Sequence, residues 1–170
     1  MTVCGMTSGN TKLAHDSGGA LKNANPPLRI LVVDDEPHIR QLCTEVLIHS
    51  GYHVDTAEDG AVAWDRLQEN CYDLLVTDNN MCRLTGIGLI KKLRAARMAV
   101  PVIMVSGAMP TDELNRHPWL RIDAALLKPF TVDQLVGTVR EVLRATENER
   151  QPVTPPPNYP SPPKTIPLQL

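Results

Sequence analysis

Four features are missing from this 170-residue sequence, and each absence excludes a class of protein. No apolar run is long enough to cross a bilayer, and the N-terminal segment has no signal-peptide core, so we expect a soluble protein. Cys4, Cys43, Cys71 and Cys82 form no CxxC pair and no zinc-like Cys/His spacing, which predicts reduced thiols and a cytoplasmic location. The net charge is −2 without a long basic run, so nothing indicates direct nucleic-acid binding.

The chain length allows one domain of ordinary size with appendages. Residues 1–27 are rich in Gly, Ser, Asn and Thr and predict a flexible leader. Residues 28–148 carry the periodic patterns of a folded domain. Residues 149–170 include QPVTPPPNYPSPPKTIPLQL and predict a proline-rich disordered tail, which is either inert or a PxxP ligand for a partner.

Apolar runs alternate with helical repeats along the middle of the chain, which predicts a parallel sheet covered on both faces by helices. The predicted strands are 30–33, 53–57, 73–77, 102–105 and 124–127. The helix residues expected to face the core are Ile39, Leu42, Val46, Leu47, Ala63, Trp64, Leu67, Ile87, Leu89, Ile90, Leu93, Val132, Leu135, Val136, Val139, Val142 and Leu143. The cations of the third helix, Lys91, Lys92, Arg94 and Arg97, are expected to be its solvated face.

Polar residues follow four of these strands: Asp34 and Asp35 the first, Asp78 the third, Ser106 the fourth and Lys128 the fifth. Parallel strands place their carboxyl ends at one edge of a sheet, so these side chains should meet there. Taken singly, each is explained as a capping acid, a turn hydroxyl or a surface lysine. Their joint occurrence favours a functional site centred on Asp78.

Three neighbouring carboxylates repel one another unless a cation compensates them. Mg²⁺ is the natural partner, because it prefers oxygen ligands and keeps water positions that a phosphate can take. The lysine and the serine hydroxyl suit a centre that becomes more negative. The set therefore predicts nucleophilic attack by Asp78 on a phosphoryl group.

The sequence segments that contain these residues resemble the receiver domain of two-component response regulators, and the resemblance extends over residues 28–146. They are ILVVDDEP (30–37), DLLVTDNNM followed by TG (73–81 and 85–86), PVIMVSGA (101–108) and LKPF (127–130). The resemblance implies a flavodoxin-like, doubly wound, three-layer α/β/α fold, with five parallel strands in the order 2-1-3-4-5 and five helices. It also implies a CheY-like phosphoacceptor, not a conventional enzyme, that is able to catalyse its own phosphorylation and dephosphorylation.

By the same resemblance, Asp78 receives the phosphoryl group from a sensor histidine kinase or histidine phosphotransfer protein. Asp34, Asp35 and Asp78 would hold Mg²⁺ together with the backbone carbonyl of Asn80. Ser106 and Lys128 would bind the phosphoryl oxygens, with a cis bond before Pro129. The downstream protein target would meet the face made by the fourth helix, fifth strand and fifth helix.

Two departures from the family pattern stand out. Ala125 occupies the position of the aromatic switch residue, and Cys82 replaces the proline of the phosphorylation loop.

The segment after Asn148 is too short and proline-rich for a DNA-binding module, which predicts a stand-alone receiver. Two alternatives stay open: an interaction module that ignores phosphorylation, and a haloacid-dehalogenase-type phosphatase, whose D-x-D pattern the adjacent Asp34 and Asp35 do not match.

Overall fold

The structure is a computed structural model that describes residues 26–150. Almost all of the predicted leader (1–27) and the predicted tail (149–170) lies outside the described residues. The last helix continues to Arg150, two residues past the predicted end of the domain.

Five parallel strands form one sheet in the order β2-β1-β3-β4-β5, so the predicted doubly wound fold is confirmed. The strands are β1 (Arg29–Val33), β2 (His53–Ala57), β3 (Leu74–Asp78), β4 (Val102–Ser106) and β5 (Ala124–Leu127). All residues of β3 and β4 are buried, as the continuous apolar runs predict for central strands of a parallel sheet.

The helices are α1 (Pro37–His49), α2 (Gly60–Glu69), α3 (Gly86–Ala95), α4 (Thr111–Arg116) and α5 (Val132–Arg150), with a single 3-10 turn at Pro118–Leu120. Pro37 occupies the first turn of α1, where its missing N–H is harmless. Asp59 caps α2 by accepting from the Ala61 and Val62 amides at 2.8 and 3.0 Å. Pro118 ends the fourth helical segment, as the sequence predicts.

Two apolar clusters cover the two faces of the sheet. One packs α2 and α3 against side chains such as Leu31, Leu75 and Met104. The other packs α1 and α5 against side chains such as Ile30, Val76 and Ile103. The four residues predicted to point inward from α3 are all buried.

Two apolar residues predicted to face the core, and one in the predicted fifth strand, are exposed. Leu42 on α1 is 42% exposed, Val132 at the start of α5 is 47% exposed, and Leu127 on β5 is 58% exposed. The last case has a clear reason, because β5 is an edge strand whose residues alternate between half-buried and exposed. The short α4, with no buried residue, leaves the outer half of that strand open.

The prediction that Arg94 belongs to a solvated face is wrong. Its guanidinium donates to the carbonyl oxygens of Met98 and Val100 at 3.0 Å and of Leu120 and Arg121 at 3.0 and 2.8 Å. These carbonyls belong to the segments that lead into β4 and β5, so the Arg94 side chain links the two segments to each other. Burial lowers the pKa of Arg94 below its ordinary value.

The cysteines only partly match the expectation of reduced thiols. Cys43 is a buried free thiol in the core and Cys82 is an exposed one, whereas Cys71 is disulfide-bonded. The expectation fails for Cys71 because pairing depends on where the fold brings sulfur atoms together, which sequence spacing does not give. Within residues 26–150, every helix is too short or too polar to cross a bilayer.

Candidate functional site

The carboxyl edge of the sheet gathers the predicted polar residues. Asp78 ends β3 and pairs with Val105 of β4, and Ser106 ends β4 opposite Leu127. Asp34 and Asp35 follow β1 directly, and the Lys128 amide, which follows β5, donates to the Ser106 carbonyl oxygen at 3.0 Å. The parallel arrangement therefore places these residues as expected.

Three carboxylates lie at the centre of this edge. One oxygen each from Asp34, Asp35 and Asp78 falls within 4.8 Å of the others. Asp34 and Asp78 are only 3% and 5% exposed, whereas Asp35 is open to solvent. The Glu36 amide donates to Asp34 Oδ1 at 2.9 Å, which fixes the orientation of this carboxylate.

Lys128 provides the cation of the site. Its Nζ donates to Asp34 Oδ2 at 2.8 Å and to Glu36 Oε1 at 3.3 Å, and lies 3.8 Å from Asp78 Oδ2. Burial alone would lower the pKa of Lys128, but the hydrogen bond and charge of Asp34 and the charge of Asp78 outweigh it, and the pKa is raised. The Lys128-Pro129 bond is cis, as the resemblance implied.

The environment of Asp78 favours the neutral form of its side chain, whereas that of Lys128 favours the charged form. Burial raises the pKa of Asp78, and the nearby charges of Asp34 and Asp35 add to the rise. Lys128 and the Asn79 amide oppose this rise without cancelling it. A carboxylate that is costly to ionise alone is one that an added cation would stabilise.

Ser106 ends β4 at the site, but its hydroxyl proton is already used by a backbone carbonyl. It is fully buried, and its hydroxyl donates to the Ala108 carbonyl oxygen at 3.0 Å. A serine hydroxyl has a single hydrogen, so this bond uses its only donor. Its predicted role toward a phosphoryl group requires rotation away from Ala108.

The loop after Asp78 is fastened by Asn79. The Asn79 carbonyl oxygen accepts from the Met81 and Gly86 amides at 3.2 and 3.1 Å, and its side-chain oxygen accepts from the Ile87 amide at 3.2 Å. Asn80 lies exposed between these anchored residues. Its role as a metal ligand stays a prediction.

Sequence reasoning missed two contacts around Asp34. Glu36 shares the Lys128 ammonium, and Arg40 Nη1 donates to the Asp34 carbonyl oxygen at 2.5 Å. Arg40 stands four residues after Glu36 on α1, so the helical repeat places both near the site. That spacing was the available signal.

Ala125, at the position of the family's aromatic switch residue, lies exposed on β5. The strand therefore carries a methyl group at this position and has no aromatic ring that could change its orientation. This region carries the clearest departure from the family pattern, while the carboxylates and the lysine follow it.

Comparison with known proteins gives a consistent result. The family model described as "Response regulator receiver domain" matches residues 30–140. Response regulator MprA of Mycobacterium sp. (strain KMS) is 33% identical over 129 residues, which are 76% of this chain and 56% of that protein. Sensor histidine kinase RcsC of Salmonella typhi is 34% identical over 117 residues, 69% of this chain and 12% of that protein. The chain thus spans about half the length of the first of these relatives and far less of the second.

Solved structures of similar shape have similar descriptions. The Francisella response regulator 1452 receiver domain matches with a TM-score of 0.64 and 33% identity, covering 72% of this chain and 99% of that one. The response regulator TrrA of Thermotoga maritima, in complex with Mg²⁺ and BeF, matches with a TM-score of 0.60 and 32% identity, covering 68% and 98%.

Proposed function

The chain belongs to the family of response regulator receiver domains, and we propose from that premise that it accepts a phosphoryl group on Asp78. The donor would be the phosphohistidine of a sensor kinase or of a histidine phosphotransfer protein. The observation that carries the proposal is the placement of a buried Asp78 beside two further carboxylates, with the Lys128 ammonium 3.8 Å from its oxygen.

The donor set fits Mg²⁺. Three carboxylate oxygens within 4.8 Å of one another suit a small, hard cation, and exposed Asp35 leaves the site open to solvent on one side. Asp34, Asp35 and Asp78 would hold the ion, and the Asn80 carbonyl would complete the protein ligands. When bound, Mg²⁺ would offset the charge that builds up on the phosphoryl oxygens.

The chain's own residues account for the transfer. An oxygen of the Asp78 carboxylate forms a bond to phosphorus as the bond between phosphorus and the donor's imidazole nitrogen breaks, and the imidazole keeps that electron pair. Lys128 stays within reach of the transferred oxygens, because Asp34 already holds its ammonium at the site. The Ser106 hydroxyl would leave Ala108 and donate to a phosphoryl oxygen.

The proposed output is contact with a partner protein through the face made by α4, β5 and α5. This face is unusual, because α4 has no buried residue and Leu127 is 58% exposed on β5. The stand-alone mode of action and the cytoplasmic location belong to the same proposal.

A second candidate is an interaction module whose binding does not depend on phosphorylation. Ala125 favours it, since the aromatic side chain that couples the site to this face in the family is missing. The intact carboxylates and lysine favour the first candidate, because a pure binding module has no need of them.

The test is intact mass after incubation with acetyl phosphate, for the wild-type chain and for Asp78→Asn, with and without Mg²⁺. We expect one added phosphoryl group only in the wild type and only with Mg²⁺. Equal labelling of the variant would exclude Asp78 as the acceptor. If no mass is added, beryllofluoride binding separates rapid hydrolysis from the interaction-module alternative.

A further inference from the structure

The turn formed by residues 81–84, which follows Asp78, Asn79 and Asn80, is fastened to the start of α2. The Gly60 amide donates to the Leu84 carbonyl oxygen at 3.2 Å. The Arg83 guanidinium forms ion pairs with Asp59 and with Glu58, the second at 3.2 Å. These contacts join residues 58–60, which follow β2, to residues 83–84, which follow β3, at the carboxyl edge of the sheet.

Asp59 is a buried anion, so its pairing with Arg83 differs from an ordinary surface contact. The Asp59 side chain is 4% exposed, against 57% for Arg83. Burial alone would raise the pKa of Asp59, but the Val62 and Ala61 amides and the Arg83 guanidinium outweigh it, and the pKa is lowered. Removal of Arg83 would leave a buried carboxylate with its amide partners only.

The two segments also fit together without spare room. A Cβ atom on Gly60 would lie 2.4 Å from the Leu84 carbonyl oxygen, so only glycine allows this approach. Met81, at the other end of the turn, is buried in the core. The path of residues 81–84 is therefore set at both ends.

The sequence of the turn supplies little rigidity of its own. Cys82 takes the place of a proline that would fix the backbone, and Arg83 has a left-handed φ of 59° that an arginine rarely adopts. Tertiary contacts must hold this conformation, and the ion pair of Arg83 with the buried Asp59 is one of them.

We propose that Arg83 is a positioning residue for the phosphoacceptor site. Its ion pair with Asp59 holds the turn 81–84 on α2, and thereby fixes the backbone that connects this turn to Asp78 through Asn79 and Asn80. The inference rests on the proposed function in one respect, since Asn80 matters only if the site binds Mg²⁺.

The experiment compares Arg83→Ala and Arg83→Lys with the wild-type chain and with Arg97→Ala. Arg97 is a matched control, because it is also an exposed arginine with a left-handed φ, of 57°, and it follows α3 at the far edge of the sheet. Three quantities are measured: Mg²⁺ affinity by calorimetry, hydrogen exchange of the Gly60 and Gly86 amides without metal, and acetyl phosphate labelling against Mg²⁺ concentration.

We expect Arg83→Ala to weaken Mg²⁺ binding about three-fold, as for the loss of one partly exposed ion pair. The Gly60 amide should exchange faster, and half-saturating Mg²⁺ should rise while the maximal labelling rate changes little. Arg83→Lys should recover part of the affinity, because lysine keeps the charge but not the planar fork. Arg97→Ala should match the wild type.

Unchanged Mg²⁺ affinity in Arg83→Ala, or an equal loss in Arg97→Ala, would overturn the proposal. Weaker Mg²⁺ binding in Arg83→Ala alone would support it even if Asp78 were never labelled, in which case phosphoryl transfer would be the part that fails. A wild-type chain that binds no Mg²⁺ would refute both.

Discussion

Replacing Gly86 by alanine should destabilise the protein, although alanine is the better helix former. Gly86 is the first residue of α3, and a Cβ atom there would lie 2.2 Å from the Asp78 carbonyl oxygen, 3.0 Å from Asn79 Cα and 3.1 Å from the Asp78 carbonyl carbon. All three atoms are backbone atoms, so no side chain can rotate to make room. The helix start or the end of β3 must move instead.

The size of the effect follows from two opposing contributions. Overpacking of this kind costs about 1–3 kcal/mol or more, and the alanine gains at most about 1 kcal/mol of helix propensity. Because the clash is with the backbone of Asp78 and Asn79, we take the cost at the upper end of that range, and after the gain in helix propensity the net loss is about 2 kcal/mol.

Gly137 gives the matched control. It lies inside α5, and a Cβ atom there meets nothing within 4 Å. Gly137→Ala should therefore raise the free energy of unfolding by about 0.5–1 kcal/mol. The two substitutions are chemically identical and should have opposite signs.

Urea unfolding, followed by circular dichroism and analysed by linear extrapolation, measures both changes. A Gly86→Ala variant as stable as the wild type would refute the reasoning, because it would mean that the contact at Asp78 relaxes at no cost. A Gly137→Ala variant that loses stability would show that space alone does not decide the sign.

Three further predictions follow from charged side chains. Arg94→Met should lower the free energy of unfolding by about 2 kcal/mol in urea, because the carbonyl oxygens that it joins lose a charged donor, whereas Lys92→Met should have little effect. Asp59→Asn should remove stability that is fully present above the unfolded pKa of about 3.9 and is lost as the pH falls through the lowered folded pKa. The stability difference between wild type and Asp59→Asn should therefore shrink in acid; a constant difference would contradict the lowered pKa. Lys128→Ala should slow acetyl phosphate labelling about 100-fold with Lys91→Ala unchanged, as for the loss of one preorganised donor, and equal rates would remove Lys128 from the site.

The sheet and the placement of the site could be predicted from sequence because both depend on local patterns. Continuous apolar runs mark the buried strands, and the residue after each run must lie at the carboxyl edge once the strands are parallel. Asp34, Asp78 and Lys128 therefore meet as expected. Their order along the chain contains this information.

What the sequence did not predict depends on contacts between distant segments. Arg94 has the spacing of a solvated helix residue, yet the carbonyls before β4 and β5 come within its reach only after folding. Leu127 looks like core, but its strand lies at the edge of the sheet and α4 is too short to cover it. The orientation of the Ser106 hydroxyl depends on a loop carbonyl that no pattern specifies.

The Arg94 contacts lie at the amino edge of the sheet, whereas the acids and Lys128 lie at the carboxyl edge. Random variation should therefore produce two distinguishable phenotypes. Substitutions at Arg94 should reduce the amount of folded protein in a cell while each surviving molecule signals normally. Substitutions at Lys128 should silence each molecule whatever its abundance, so a genetic screen that scores abundance and signalling separately would assign the two edges to different classes.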